Sequence, residues 1–289
     1  MSKPVDFSLF KCRCSAINKI LSNSRDNPVI TDKQAVLLSE LEKKDNLTDK
    51  QKEEVARLVV LRENASKIIL SDTCIDYLME VYAWETEGMI PVNKESMDLM
   101  QLKKGKMAEK QSIELISIVE DTWYEKNDIR VSNEYLSGEP DIFSGNSIMD
   151  AESITDAKSI WDYPGYLQKL HKPLESGYPE QVKGYCDITG AKKGQIARVL
   201  VDTPEEIIQD MKWKIAKKFG AVTTESPDFL EEWAKWERSM KFSHIPIAQR
   251  VYRIPVPLFT TQEQQKVYDR VKICRDWLCK FYETRQSLN

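Results

Sequence analysis

Near residue 128 the sequence changes its period. Up to that point apolar residues recur at helical spacing, and KMAEKQSIELISIVEDTWYEK at 106–126 reads as one long helix beginning near Lys106. Beyond it VSNEYL at 131–136, PDIFSG at 140–145 and SITDAKSI at 153–160 are short, alternate between residue types and are divided by Gly, Asn, Ser and Asp. That pattern predicts a three-stranded meander. A helix opened by Pro179 and stopped by Gly190 comes next, then IARVLV at 196–201 as a buried strand, then a helix from Pro204 to about Lys218. Helix, three strands, helix, strand, helix is the order of an α/β core.

Helix starts on either side are marked by Ser or Thr followed three residues later by Gln or Glu, so that side chain and backbone can satisfy each other's orphan donors. Thr31–Gln34, Thr48–Gln51, Thr203–Glu206 and Thr261–Gln264 fit. TDKQ at 31–34 recurs at 48–51, predicting a helical hairpin over about 32–70 with KKDN as its turn, and a further helix should follow Ser71. The tail carries a Trp-rich helix near 228–241, the Pro-rich extended stretch IPIAQRVYRIPVP and a final helix from about 262 to 285. No linker composition interrupts the chain. The reading is therefore one domain over 1–289: a helical region to about 100, a core over about 101–220 and a helical region from about 221.

The 41% hydrophobic content of the 289 residues can supply a core, and the 30% of charged residues intersperse both signs, unlike a disordered chain. The opening MSKPVDFSLFKCRCSAINKIL lacks the apolar core of a signal peptide, and nowhere do eighteen apolar residues run together. The expectation is a cytoplasmic protein with no membrane contact. Six scattered cysteines in so large a chain read as free thiols. A net charge of −4 means that any polyanion must be met by local basic patches, with candidates in KKGK at 103–106, in Lys192, Lys193 and Arg198, in KWKIAKK at 212–218 and between Arg238 and Arg253.

The chemistry concentrates in Gly138-Glu-Pro140-Asp141 and, fifteen residues after Asp141, Asp156-Ala-Lys158. Residues two apart on a strand point the same way, so Asp156 and Lys158 share a face, and the turn at Gly138 and Pro140 brings Asp141 near Asp156. Two carboxylates that close repel unless a cation lies between them. Oxygen donors suit Mg²⁺ or Mn²⁺, whereas zinc asks for His or Cys that the site lacks. Such a centre suits phosphodiester hydrolysis, with Lys158 steadying the attacking hydroxide or the charge on the phosphate. Taken alone, a D-x-K is common surface patterning. Glu109 strengthens it, because it shares a helix face with Ile113 and Ile116 while Glu114 lies with Ile118 and Asp121 on another side. Gln181 and Tyr185, one helical turn apart, face one direction after the predicted meander.

The ordered set Gly105-xxx-Glu109, Gly138-x-Pro140-Asp141, Asp156-x-Lys158 and Gln181-xxx-Tyr185 resembles the four motifs of RecB-type nucleases in the PD-(D/E)xK superfamily. YPEQVKGYCDITGAKKGQIARVLVDTP at 178–204 most resembles the phage lambda-exonuclease and YqaJ branch, and the similarity spans about residues 100–204. The resemblance implies a restriction-endonuclease-like fold in which Glu109, Asp141, Asp156 and the Ala157 carbonyl bind metal and Lys158 is the catalytic lysine. It implies that Gln181 contacts the metal-bound water or a phosphate and that Tyr185 supports it. Asp156 stands where lambda-type members commonly carry Glu, a shorter reach to the metal. Arg13-Cys-Ser15 is a weaker counterpart of the segment with which that family holds a terminal 5′-phosphate. Cys274 and Cys279 lie past the core without the closely spaced trio of the relatives that carry an iron–sulfur cluster, so no cluster is expected. Trp213, Trp233 and Trp236 at helical spacing are expected to pack in the core rather than stack on DNA.

By this resemblance the chain is expected to be a cytoplasmic, Mg²⁺-dependent exonuclease that degrades linear double-stranded DNA from the 5′ end in a phage-type recombination system. A homo-oligomeric ring and a single-strand annealing protein as partner follow by analogy. An endonuclease or single-strand-specific nuclease on the same core is the nearest rival. An inactive nuclease fold serving as a DNA-binding or assembly protein is the rival of another class.

Overall fold

The computed structural model of the protein describes residues 5–23, 28–44, 46–64, 69–91, 100–221 and 223–287. They form two compact units, one of Met1–Ser8, Asn18–Ile90 and Asp269–Asn289, the other of Leu9–Ile17 and Pro91–Tyr268.

The first unit is helical. After a short α1 (Ile17–Leu21), α2 (Asp32–Glu42) and α3 (Asp49–Asn64) pair as the expected hairpin by burying Leu38, Leu58 and Leu61. Both arms of the capping box are made at Thr31 and Gln34, and again at Thr48 and Gln51. The predicted KKDN turn includes Asp45, which lies outside the described residues. In α4 (Asp72–Glu87), Ser71 caps by accepting from the Cys74 amide, and Phe7 stacks on Tyr82.

The second unit carries the α/β core. A four-stranded sheet runs in the order β4 (Ile142–Ser144), β5 (Ser153–Ser159), β6 (Lys193–Val199), β7 (Val251–Val256), with β5 and β6 parallel and both outer pairings antiparallel. Pro255 is tolerated because β7 is an edge strand, where a missing amide donor goes unnoticed. A second sheet orders β1 (Cys12–Arg13), β3 (Leu136–Gly138) and β2 (Val131–Ser132) as β1-β3-β2. The expected meander is therefore corrected. The Asn133 side chain accepts from the amides of Tyr135 and Leu136, turning VSNEYL back on itself, so that only 142–144 and 153–159 form the hairpin of the main sheet.

The helix expected to begin near Lys106 and run to about 126 starts earlier and is two helices, α5 (Met100–Met107) and α6 (Glu109–Glu120), broken at Ala108 and closed by Asp121 in the left-handed region at φ 49°. Ile113, Leu115 and Ile116 of α6 pack on Ile142, Ala197 and Val199 on one face of the sheet. A helix missed from sequence, α7 (Tyr163–His171), starts at the side-chain cap of Asp162; α8 (Tyr178–Thr189) follows and covers the opposite face. There Gly194 permits the approach, since a β-carbon on it would lie 2.6 Å from Val182 Cγ1. After β6 come α9 (Glu205–Phe219), α10 (Pro227–Arg238) and α11 (Thr261–Gln286).

Two predicted caps move. Pro204 delays α9 to Glu205 and leaves the Thr203 hydroxyl without a partner, while the box at α11 is made by Thr260 with Glu263, one residue ahead of the expected Thr261. With those corrections the core is the α/β arrangement that the order of elements implied, consistent with the restriction-endonuclease-like fold that the resemblance implied. Among the described residues no helix is long and apolar enough to cross a membrane.

Candidate active site

The β4–β5 ladder ends at Ile142 opposite Thr155, and the strands part there. Asp141 sits in the opening. Its Oδ2 accepts from the Ala157 amide at 2.7 Å, taking a hydrogen bond that a continued β4 would have used. On β5, Asp156 and Lys158 turn toward α8, whereas Ser159 turns toward α6 and bonds Ser112 at 2.8 Å. Asp156 is 1% exposed, with Oδ1 accepting from Gln181 Nε2 at 3.3 Å. Its Oδ2 lies 2.7 Å from Lys158 Nζ, an ion contact without the alignment of a hydrogen bond, so this buried oxygen keeps an unfilled lone pair.

Gln181 Nε2 also donates to the Tyr185 hydroxyl at 2.8 Å, so the pair that shares a helix face bears on one carboxylate. Gly138 makes room for this arrangement. A β-carbon there would stand 2.5 Å from Tyr185 Cε1 and 3.0 Å from Cys14 Sγ. Glu109 is the first residue of α6, and its carboxylate pairs with Lys126 at 3.3 Å, while Glu114 faces solvent.

Burial and the neighbouring Asp156 push the Asp141 carboxyl up to about 7, against the pull of Lys158 and the Ala157 amide. Burial raises Asp156 too. Burial disfavours the Lys158 ammonium, but Asp156 and Asp141 outweigh it and hold the lysine charged above its ordinary range. The site thus confines two carboxyl groups that resist ionisation together, the arrangement a divalent cation relieves.

An open cavity of about 700 Å³ lies over these groups, lined among others by Glu109, Asp141, Ala157, Lys158, Tyr178 and Arg198. Asp156, Gln181 and Tyr185 stand behind its lining. Among the described residues no three His, Cys, Asp or Glu side chains are drawn together tightly enough to hold a metal ion as they stand. The cause is visible. Glu109 is turned to Lys126, Asp156 to Lys158 and Asp141 to the Ala157 amide. The donor set itself, oxygen only with one carboxylate oxygen lacking a hydrogen bond, fits a hard cation.

Arg13 and Ser15 are exposed on the segment beside β3 and do not line the cavity. Of the residues expected in basic patches, Lys104 and Arg198 are buried. Lys104 donates to the Trp161 carbonyl, and burial lowers its pKa to about 8. Trp233 packs in the core as expected, but Trp213 and Trp236 are exposed. The sequence assigned no place in the site to Lys126 or Tyr178, and read Arg198 only as part of a basic patch. For Tyr178 a signal existed, since it lies three residues before Gln181 and seven before Tyr185 on the same helix face.

The class of fold is shared with solved exonuclease structures. A phage-related exonuclease from Haemophilus somnus matches with a TM-score of 0.58 and 19% identity over 97% of both chains. An alkaline exonuclease from Laribacter hongkongensis matches with a TM-score of 0.51 and 9% identity over 98% of this chain and 96% of that one. The same enzyme in complex with dAMP matches at 0.51 over 97% and 93%. No family model matches the sequence, and none of the curated proteins compared with it matches.

Proposed function

We propose that the protein is a divalent-metal-dependent exonuclease acting on linear double-stranded DNA, of the PD-(D/E)xK superfamily and its lambda-exonuclease and YqaJ branch. The observation that carries this reading is the half-buried Asp141, Lys158 and Gln181 gathered around the buried Asp156 at a splayed strand end, opening on a cavity that Glu109 also lines. The likeness in fold to two exonucleases supports it.

Glu109, Asp141, Asp156 and the Ala157 carbonyl would hold Mg²⁺ or Mn²⁺. When bound, the ion supplies the charge that polarises a phosphate and eases ionisation of water at neutral pH. The chain's own residues do the rest. Lys158 keeps a positive charge at the cavity wall, where it can steady an attacking hydroxide or the charge growing on the phosphate. Gln181 fixes Asp156, and Tyr185 fixes Gln181. Lys126 neutralises Glu109, a pairing that would have to open for Glu109 to hold the ion. Digestion from the 5′ end through Arg13 and Ser15, a homo-oligomeric ring and an annealing partner complete the reading by analogy.

Linear and covalently closed circular duplexes, incubated with the protein and Mg²⁺, test the exonuclease. Mononucleotides should appear from the linear form alone. Cleavage of the closed circle would replace the reading with an endonuclease. Equal rates on 5′-phosphorylated and 5′-hydroxyl ends would remove the role given to Arg13 and Ser15.

A further inference from the structure

We infer that Arg198 is a positioning residue for the proposed catalytic lysine: by fastening the 169–175 connection to the sheet, it sets the ring of Tyr178 against the Lys158 ammonium. The inference rests on the nuclease reading and adds to it a second group that fixes Lys158.

Lys158 and Arg198 stand opposite each other on the parallel strands β5 and β6, so their side chains leave the same face of the sheet side by side. They then part company. The Arg198 side chain, 2% exposed, does not reach out for a ligand; its guanidinium donates to the Lys169 carbonyl, to the Pro173 carbonyl at 3.4 Å and to Glu175 Oε2 at 2.9 Å. A buried guanidinium is costly unless its donors are met, and removing one member of such a set leaves the others exposed to that cost. Here the three partners lie in the last turn of α7 and in the connection from it to α8. The next link is in the backbone, where the Glu175 carbonyl accepts from the Tyr178 amide at 3.3 Å. Glu180 closes the start of α8 by accepting from the Gly177 amide at 3.0 Å. Tyr178 therefore enters the cavity from a segment pinned at both sides.

Its ring meets Lys158, with Nζ 4.9 Å from the ring centroid, while Asp156 holds the same ammonium at 2.7 Å. An ammonium over an aromatic face is attracted by the ring quadrupole. The two contacts are unequal in permanence, because Asp156 is also a proposed metal ligand. Were that carboxylate to hold a cation, the ring would still bear on Lys158 at the cavity wall. Arg198 does not touch the reacting atoms in this scheme; it acts through Tyr178.

Two readouts test the inference, one of them independent of activity. Protein labelled with ¹³C at the lysine ε-carbons gives one resonance per lysine, and Lys158 is identified as the signal missing from Lys158→Ala. Ring-current shielding should place that signal upfield in wild type and in Tyr178→Phe. It should return toward the position of exposed lysines in Tyr178→Leu and in Arg198→Met. On linear duplex with Mg²⁺, Tyr178→Leu and Arg198→Met should lose about 10- to 100-fold in kcat, as for other positioning groups around metal sites, with KM within about threefold. Tyr178→Phe, which keeps the ring, should rescue most of the loss. Should Arg198→Met fail to fold, Glu175→Gln weakens the same staple from its half-exposed end and should move the Lys158 signal in the same direction. An active wild type whose Lys158 signal is unshifted, or a Tyr178→Leu variant with full kcat, overturns the inference while leaving the nuclease reading in place. A shifted signal in a wild-type protein that releases no nucleotide overturns the nuclease reading, and the positioning role with it.

Discussion

Asp141 and Asp156 are held where carboxylates are least comfortable, one half-buried and one buried, with Asp156 raising the cost of ionising Asp141, and the pH behaviour of the metal-free protein should reveal it. An Asp141 carboxyl whose folded pKa is about 7, against an ordinary 3.8, keeps its proton in the fold over a range where the unfolded chain has lost it. The stability it contributes is complete below about pH 4 and declines as pH rises through about 7. Thermal melts of the metal-free protein should therefore fall over that window. Asp141→Asn should flatten the decline and raise Tm near pH 8, by about 2–4 °C for each kcal/mol recovered. Mg²⁺ should lift the wild type at that pH and leave Asp141→Asn nearly unmoved. A melt profile unchanged by the substitution would contradict the burial of a strained carboxyl pair. Lys158→Ala should cost about 10²- to 10⁴-fold in kcat, the range for a side chain that assists proton movement or charge at the reacting centre. DNA binding measured without turnover should persist. At this scale much of the site was legible, because Asp156-x-Lys158 needs only the two-residue repeat of a strand, and Gln181-xxx-Tyr185 only the helical turn. Arg198 was not, since one arginine in an apolar strand carries no mark of the carboxylate and carbonyls it will meet 23 to 29 residues away in sequence.

At the scale of elements, the join between the two sheets decides the site. Gly138 ends β3 just before Asp141, and the Tyr185 ring fills the space where its side chain would be. Gly138→Ala should destabilise the fold by about 1–3 kcal/mol through overpacking and should lower activity further by displacing Tyr185 from Gln181. Denaturant midpoints and kcat measured on the same preparation check both parts. The caps offer a contrast. Thr31→Ala removes a complete capping box and should cost about 1 kcal/mol. Thr203→Val removes a buried hydroxyl with no partner and should be neutral or stabilising. Both residues wear the same sequence pattern, so equal losses in urea melts would contradict the placement of α9. The pattern misled at Thr203 because Pro204 follows it and holds the chain extended before α9 starts. It slipped by one at α11 because Thr260 and Thr261 are adjacent hydroxyls and the Glu three residues on from Thr260 closes the box. The meander was misread for a similar reason. Alternation in VSNEYL is real, but the Asn133 side chain turns the backbone inside it.

For the whole molecule, the order of helices and strands fixed an α/β core with little ambiguity, while partition between sheets depended on contacts far apart in sequence, such as Cys12 with Leu136. The acidic net charge of −4 sits over a local site whose wall carries Lys158 and where Lys126 pairs with Glu109, so the proposed recognition of a polyanion would rest on local charge rather than on the total. Two basic residues that composition would assign to the surface, Lys104 and Arg198, serve packing instead. The central claim is that this carboxylate and lysine centre hydrolyses DNA from an end with a divalent cation. Its most direct measurement is release of nucleotides from end-labelled linear duplex by wild type, Asp141→Asn and Lys158→Ala, each with Mg²⁺ and with a chelator. The account predicts release by the wild type with Mg²⁺, none with the chelator, and losses of about 100-fold or more in both variants. No release by wild type with Mg²⁺ or Mn²⁺, or variants that match it, would contradict the account.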